Sequence, residues 1–217
     1  MMDLFKIIKP NSTVLVIFPH PDDESAFAGG FIQQALKRDI KIKPITLTKG
    51  EKSTLRFGLK DNIDLASVRS DELKAALRIL GKETFELKDF PDGKINESRD
   101  AVKEFLSKKI HSLKPEFILT FEPFGVYGHP DHIALSKILT EIYAENSQLF
   151  RLIYATVGDI YKSTKGECSM CKKEECPIKY NSSLTLSVPQ IVRKIRALNS
   201  HHTQFQFGIK FINEWFF

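Results

Sequence analysis

No apolar stretch in this sequence approaches the ~20 residues that a membrane-spanning helix requires, so no transmembrane segment is expected. Cysteine is scarce: there are three, all between Cys168 and Cys176, a number and clustering unlike the dispersed even set of a disulfide-stapled secreted scaffold. No long block of one charge occurs, since 32 Lys and Arg are interleaved with 27 Asp and Glu. The net charge of +5 therefore reads as a solvated lysine-rich surface, and no nucleic-acid partner is expected. Met1 to Pro10 carries only the broken apolar pieces Leu4-Phe5 and Ile7-Ile8, too short for a signal-peptide core, so a cytoplasmic location is expected. Internal repeats are absent as well.

What is present is a core-forming composition, 42% hydrophobic over 217 residues, which fits one domain spanning 1–217. Thr13 to Phe18 is a continuous apolar run of the kind buried on both faces of a parallel sheet. Glu24 to Lys37 has helical spacing, and Ile40 to Thr48 reads as the next strand. Further along, helices are expected over Asp64–Leu80, Ser98–Leu113, Asp131–Ala144 and Pro189–Asn199. Strands are expected over Phe85–Leu87, Phe117–Phe121, Arg151–Val157 and Ser183–Ser187. Alternation of this kind predicts an α/β, Rossmann-like doubly wound sheet, mainly parallel, with helices on both faces. The segment at about 159–181, rich in Lys and Cys, reads as a surface excursion.

Ligands of such sheets bind beyond the carboxyl ends of the strands. Directly after the first strand stands His20-Pro21-Asp22-Asp23-Glu24; after the strand ending at Phe121 a loop leads to Gly128-His129-Pro130-Asp131-His132. Imidazole and carboxylate suit Zn2+, and a catalytic zinc commonly takes three protein ligands and leaves a place for water. His20, Asp23 and His132 supply that set, with another divalent metal as the alternative. Bound in this way, water falls in pKa from ~15.7 to roughly 7. Asp22 then serves as general base, while a protonated His129 either stabilises an oxyanion or gives its proton to a departing amine. Asp131 is expected to orient an imidazole.

With these residues in view, the sequence resembles the LmbE-like or PIG-L family of zinc-dependent N-acetylglucosaminyl deacetylases. The likeness rests on the Pro-Asp-Asp and Gly-His-Pro-Asp-His motifs. It extends to Leu65-Ala66-Ser67-Val68-Arg69 with Glu72, to Phe90-Pro91-Asp92-Gly93, and to Lys194-Ile195-Arg196-Ala197-Leu198 leading into His201-His202-Thr203-Gln204. The resemblance implies the same metal ligands and base, with Arg69 as a substrate-binding arginine. Glu51, in Thr48-Lys49-Gly50-Glu51, matches the family's Thr-x-Gly-Glu and joins Arg69 as a substrate-binding candidate. A small-molecule acetylamino-sugar conjugate is the implied substrate. Phe18-Pro19 before His20 departs from the family's small residue and Ala, and Thr203 stands where Ser is usual.

Two other functions stay open at this stage: an amidase acting on a thiol conjugate or acylated lipopeptide, and a non-catalytic metal- or sugar-binding domain. A nucleotide-binding protein is disfavoured, because no Gly-x-Gly-x-x-Gly follows the first strand and three carboxylates there would repel a pyrophosphate. Cys168-x2-Cys171-x4-Cys176 lacks an adjacent fourth ligand, so reduced thiols on a loop are expected. Assembly as a homo-oligomer is left open.

Overall fold

The computed structural model describes residues 3–156, 181–205 and 214–216. The cysteine cluster and most of the 159–181 excursion lie outside them. In chain order the elements are α1 (Leu4–Ile7), β1 (Thr13–Phe18), α2 (Asp23–Leu36), β2 (Lys41–Thr46), α3 (Leu65–Leu80), β3 (Glu86–Leu87) and α4 (Arg99–Leu113). These are followed by β4 (Phe117–Phe121), α5 (Gly125–Gly128), α6 (Pro130–Glu145), β5 (Arg151–Thr156), β6 (Ser182–Leu184), α7 (Val188–Ser200) and β7 (Glu214–Phe216). One sheet orders its strands β3-β2-β1-β4-β5-β7-β6. The first five are parallel, while β7 runs antiparallel to both β5 and β6.

Side-chain alternation along β1 explains the layering. Val14, Val16 and Phe18 join one apolar cluster with residues of α2, α3 and α7, whereas Leu15 and Ile17 join another with residues of α4 and α6. Both faces of the central strand are covered, which is why its sequence is apolar without interruption. Helix α2 is buried almost all round, from Asp23 to Ala35. That accounts for its small and aromatic composition and its weak amphipathic pattern. Helix α3 carries the ends its sequence announces: Asp64 accepts the N–H groups of Ala66 and Ser67, and Gly81 closes it at φ 94°.

Three elements escaped the sequence reading. Helices α1 and α5 are single turns, and β7 is only three residues long, below the length at which period-two alternation is visible. The strand expected over Ser183–Ser187 forms over Ser182–Leu184, paired to β7.

Strand β7 is tied to the centre by a buried ion pair. Glu214 and Lys194 lie 2.6 Å apart, both side chains fully buried. Glu214 also accepts the backbone N–H groups of Gly30 (2.5 Å) and Phe31 (2.8 Å). Burial pulls the Lys194 pKa down against the attraction of Glu214. Removing one partner of such a pair leaves an uncompensated buried charge, so Lys194→Met is expected to destabilise the protein by about 3–5 kcal/mol. Chemical denaturation should register that loss, and Lys194→Met combined with Glu214→Gln should recover at least about half of it. Equal stability of the single and double variants would contradict this reading.

Candidate metal centre

Strands β1 and β4 are neighbours, and the chain leaves them for opposite halves of the sheet, β2 and β3 on one side and β5 on the other. A crevice forms where the strand order reverses in this way. The loops that follow β1 and β4 both empty into it, which brings together residues more than a hundred positions apart.

His20 sits just past β1. Its Nε2 lies 3.1 Å from Asp131 Oδ2 and 3.1 Å from Asp92 Oδ1. Carboxylates only accept, so in the neutral ring Nε2 carries the hydrogen and Nδ1 keeps the lone pair for an ion. Asp131 is itself clamped: Oδ2 accepts Gly93 N–H at 2.8 Å and Oδ1 accepts Ile95 N–H at 3.1 Å. His132, on the first turn of α6, donates Nδ1–H to the Gly125 carbonyl at 3.3 Å, which frees Nε2. Its ring stacks on Phe121, with centroids 4.0 Å apart and planes 15° from parallel. Gly125, at φ 69°, makes that approach feasible, because a Cβ there would stand 2.9 Å from His132 Cβ.

His20 Nδ1 and His132 Nε2 face each other across 3.3 Å. Asp23, first residue of α2, completes a triangle, with Oδ2 3.4 Å from His20 Nδ1 and Oδ1 3.5 Å from His132 Nε2. Ligands ~2.05 Å from a tetrahedral ion stand about 3.3 Å from one another. These side chains therefore already have the spacing that a small divalent ion imposes, and the hydrogen bonds on the far side of each ring select, once the ring is neutral, the tautomer that presents a lone pair. His20, His129 and His132 also bring ligand atoms within 4.8 Å of one another, as do His20, Asp92 and Asp131.

Asp22, the residue before α2, has φ 121° and ψ −31°, outside the regions usual for a side-chain-bearing residue. Such backbone strain costs on the order of 1–3 kcal/mol. It allows consecutive carboxylates to serve different places: Asp23 turns to the two histidines, while Asp22 lies beside Arg69, with Nη2 to Oδ2 at 3.0 Å. Arg69 is buried, and it also donates to the carbonyls of Pro21 and Gly50. Gly50, at φ 67°, must be glycine here, since a Cβ would stand 2.0 Å from Arg69 Nη1.

Asp22, Arg69 and His129 all line a cleft of about 490 Å3 above the triangle, together with Asp92, Lys52 and Tyr127. Glu51 does not line it; its carboxylate accepts the Asp92 N–H at 2.9 Å and so supports the turn that carries Asp92. His129 caps α6, its Nδ1 accepting the Asp131 N–H at 3.2 Å. That bond assigns the ring hydrogen to Nε2 and agrees with a pKa lowered by burial and by the proximity of His20.

Asp92 has no role legible in the sequence beyond its place in the Phe90-Pro91-Asp92-Gly93 motif. Its signal was a carboxylate inside a Pro-Asp-Gly turn after a short strand, a pattern equally common in plain turns. Burial would raise the Asp92 pKa, but His20 and the Lys52 N–H outweigh it and hold it at about 2.

Several groups here titrate away from their ordinary values. Burial lowers the His20 pKa, but Asp131, Asp23 and Asp92 prevail and hold it well above the usual imidazole value. Burial likewise opposes His201, which Glu24 keeps raised. Burial pushes Asp22 up to about 7, against the pull of Arg69 and with a push from Asp23. His132 is driven by burial to about 3. As pH rises above roughly 6.5 an unfolded histidine loses most of its proton, whereas folded His20, His201 and, in part, Asp22 still hold theirs. The folded state then binds more protons, so in a chelator its stability should fall as pH rises from about 6.5 to 8.5. His129 and His132, neutral when folded, oppose this slope only at the lower end of the window, where their unfolded counterparts still hold part of a proton, and are outweighed there by His20, His201 and Asp22. A melting temperature that held level or rose across that range would contradict these assignments.

A doubly wound α/β protein with a buried His, Asp, His set at its switch point is the class that the fold and the site define. The chain belongs to the PIG-L family, described as GlcNAc-PI de-N-acetylase, whose model matches residues 15–143. It is 27% identical to a 1D-myo-inositol 2-acetamido-2-deoxy-alpha-D-glucopyranoside deacetylase of Actinosynnema mirum, over 88% of this chain and 80% of the relative. It is 26% identical to a probable N-acetyl-alpha-D-glucosaminyl L-malate deacetylase of Bacillus anthracis, over 91% of this chain and 84% of that one. Among solved structures, N,N'-diacetylchitobiose deacetylase of Pyrococcus horikoshii superposes with a TM-score of 0.68 at 21% identity, covering 89% of this chain and 71% of the other. The zinc-inhibited form of a teicoplanin deacetylase superposes at 0.70 with 16% identity, covering 89% and 85%. At these identities the solved structures speak for the fold. Among the described residues no helix is long and apolar enough to cross a membrane.

Proposed function

We propose that this protein hydrolyses the acetamide of an N-acetylglucosamine-type conjugate, releasing acetate and a free amine, with a divalent ion, zinc by preference, held by His20, Asp23 and His132. The observation that carries the reading is the triangle of freed ligand atoms at 3.3–3.5 Å beside a second, independently oriented carboxylate. Both relatives named above are deacetylases of acetylated glucosamine conjugates, which favours the same substrate class here.

A bound divalent ion supplies Lewis acidity, polarising the amide carbonyl and acidifying water. The chain's own residues do the rest. Asp22 accepts a proton from the attacking water as its oxygen bonds to the carbonyl carbon. Burial lifts its pKa to about 7 in the absence of an ion, the level at which a carboxylate can both take a proton and return one. His129, with Nδ1 occupied by a helix N–H, offers Nε2–H to the carbonyl oxygen as negative charge builds there. The C–N bond then breaks, and the amine leaves with the proton Asp22 had taken. Asp131 and Asp92 fix the orientation of His20 throughout. Arg69 keeps the Asp22 carboxylate aimed into the cleft, where it can also meet substrate.

The test is amine release across a panel of acetylglucosamine conjugates, including inositol, malate and lipid aglycones, by protein of measured metal content. Turnover of at least one conjugate, lost on chelation and restored by zinc, is expected. Turnover by metal-free protein, or none on any acetamide, would overturn the proposal.

A further inference from the structure

We infer that Glu24 and His201 form a positioning pair that holds the Asp22 backbone in the conformation from which its carboxylate faces the cleft. The inference rests on Asp22 being the base proposed above, and it concerns residues to which that mechanism gives no role.

The peptide unit joining Pro21 to Asp22 is gripped at both ends by buried charged side chains. Its carbonyl accepts from Arg69 Nη2, and its N–H donates to Glu24 Oε2 at 3.0 Å. The orientation of that peptide plane sets φ of Asp22, the residue found at 121°. Beyond it, the Asp22 carbonyl accepts the N–H groups of Ser25 (3.1 Å) and Ala26 (2.9 Å), so the residue is fixed on both sides.

Glu24 cannot rotate away. It is 2% exposed, and its other oxygen, Oε1, is held by His201 Nε2 at 3.0 Å and by Ser25 Oγ at 2.5 Å. His201 arrives from the end of α7, 177 residues along the chain, and is itself fully buried. Its Nδ1 has no hydrogen-bond partner among the described residues, so the ring's polar contacts there are those of Nε2, to this carboxylate and the adjoining serine. A glutamate that only capped a helix could stay in solvent and would need no histidine brought from a distant helix. Here a rigid chain of contacts runs from α7 through His201 and Glu24 to the Asp22 N–H.

The test compares Glu24→Ala, Glu24→Gln and His201→Asn with the parent and with Asp22→Asn, reading kcat, KM, bound metal and, by crystallography, φ of Asp22. Misplacement of a reacting group by about 1 Å costs on the order of 10²-fold in rate. Glu24→Ala should therefore lose about 10²-fold in kcat with KM and metal content little changed and with Asp22 relaxed out of positive φ. Glu24→Gln, whose amide oxygen still accepts the Asp22 N–H, should recover to within about tenfold of the parent and keep positive φ. His201→Asn, which leaves Glu24 in place, should lose about tenfold in kcat at unchanged KM. The pair's role is overturned if Glu24→Ala keeps its kcat with φ unmoved, or loses activity only in step with metal and stability, as a mere cap would. Should Glu24→Ala fail to fold, parental kcat in His201→Asn overturns it equally. Full activity in Asp22→Asn would instead sink the assignment of the base, a result separate from any movement of φ.

Discussion

Asp22→Asn should lower kcat by about 10²–10⁴-fold, the usual contribution of a positioned general base, while KM and bound metal stay near their parental values. The substitution changes little else. An asparagine oxygen can still accept the Arg69 hydrogen bond found at 3.0 Å, and asparagine tolerates unusual backbone better than most residues. It cannot accept a proton from water. The metal is expected to remain because Asp22 faces Arg69, whereas Asp23 alone of the two turns to His20 and His132. Steady-state kinetics on the best conjugate, with metal content measured on the same sample, would check this. Retention of more than about a tenth of kcat would assign the base to another group. The remaining carboxylates at the site are poor substitutes: Asp92 and Asp131 are both engaged on His20 Nε2, on the side of the ring away from the triangle.

His132→Gln should have the larger effect, abolishing tight metal binding and with it nearly all turnover. Two ligands would remain where three converge, and loss of the ion removes several kcal/mol of transition-state stabilisation, at least about 10³ in rate. Glutamine fills much of the space left under Phe121, so the fold should survive well enough for measurement. The checks are metal stoichiometry after dialysis and amine release at saturating substrate. Parental stoichiometry with parental activity would remove His132 from the site. Metal retained with activity lost would give it a different task.

The strand and helix alternation was open to reading because β1 and β4 are buried on both faces and so are apolar throughout. Phe117–Phe121 was read to the residue for that reason. Helix α3 was legible at its ends because Asp64 and Gly81 do chemically what caps must do. The C-terminal strand was not: Glu214 is a charged residue whose burial depends on Lys194, twenty positions earlier, and no local pattern encodes a partner at that distance.

Within the site, the motif residues were legible by composition, and their convergence followed from where parallel strands end. The structure adds what hydrogen-bond direction decides. His129, expected from the sequence to act in its protonated form, accepts the Asp131 N–H on Nδ1 and so stands as a neutral Nε2–H donor. Glu51, read as a substrate contact, faces the Asp92 backbone instead of the cleft. Among the loop aromatics Phe57, Phe124 and Tyr127, only Tyr127 lines the cleft. Loop side chains such as these take their direction from backbone turns such as the positive φ of Gly50 and Gly125, which depend on tertiary neighbours.

Anomalous diffraction at the zinc edge, from crystals of the protein loaded with one equivalent of zinc, tests the central claim most directly. A single strong peak should appear within about 2.0–2.2 Å of His20 Nδ1, a carboxylate oxygen of Asp23 and His132 Nε2, with Asp22 outside bonding distance. A peak held through His20 Nε2 by Asp92 and Asp131, or none between the two histidines, would contradict the account.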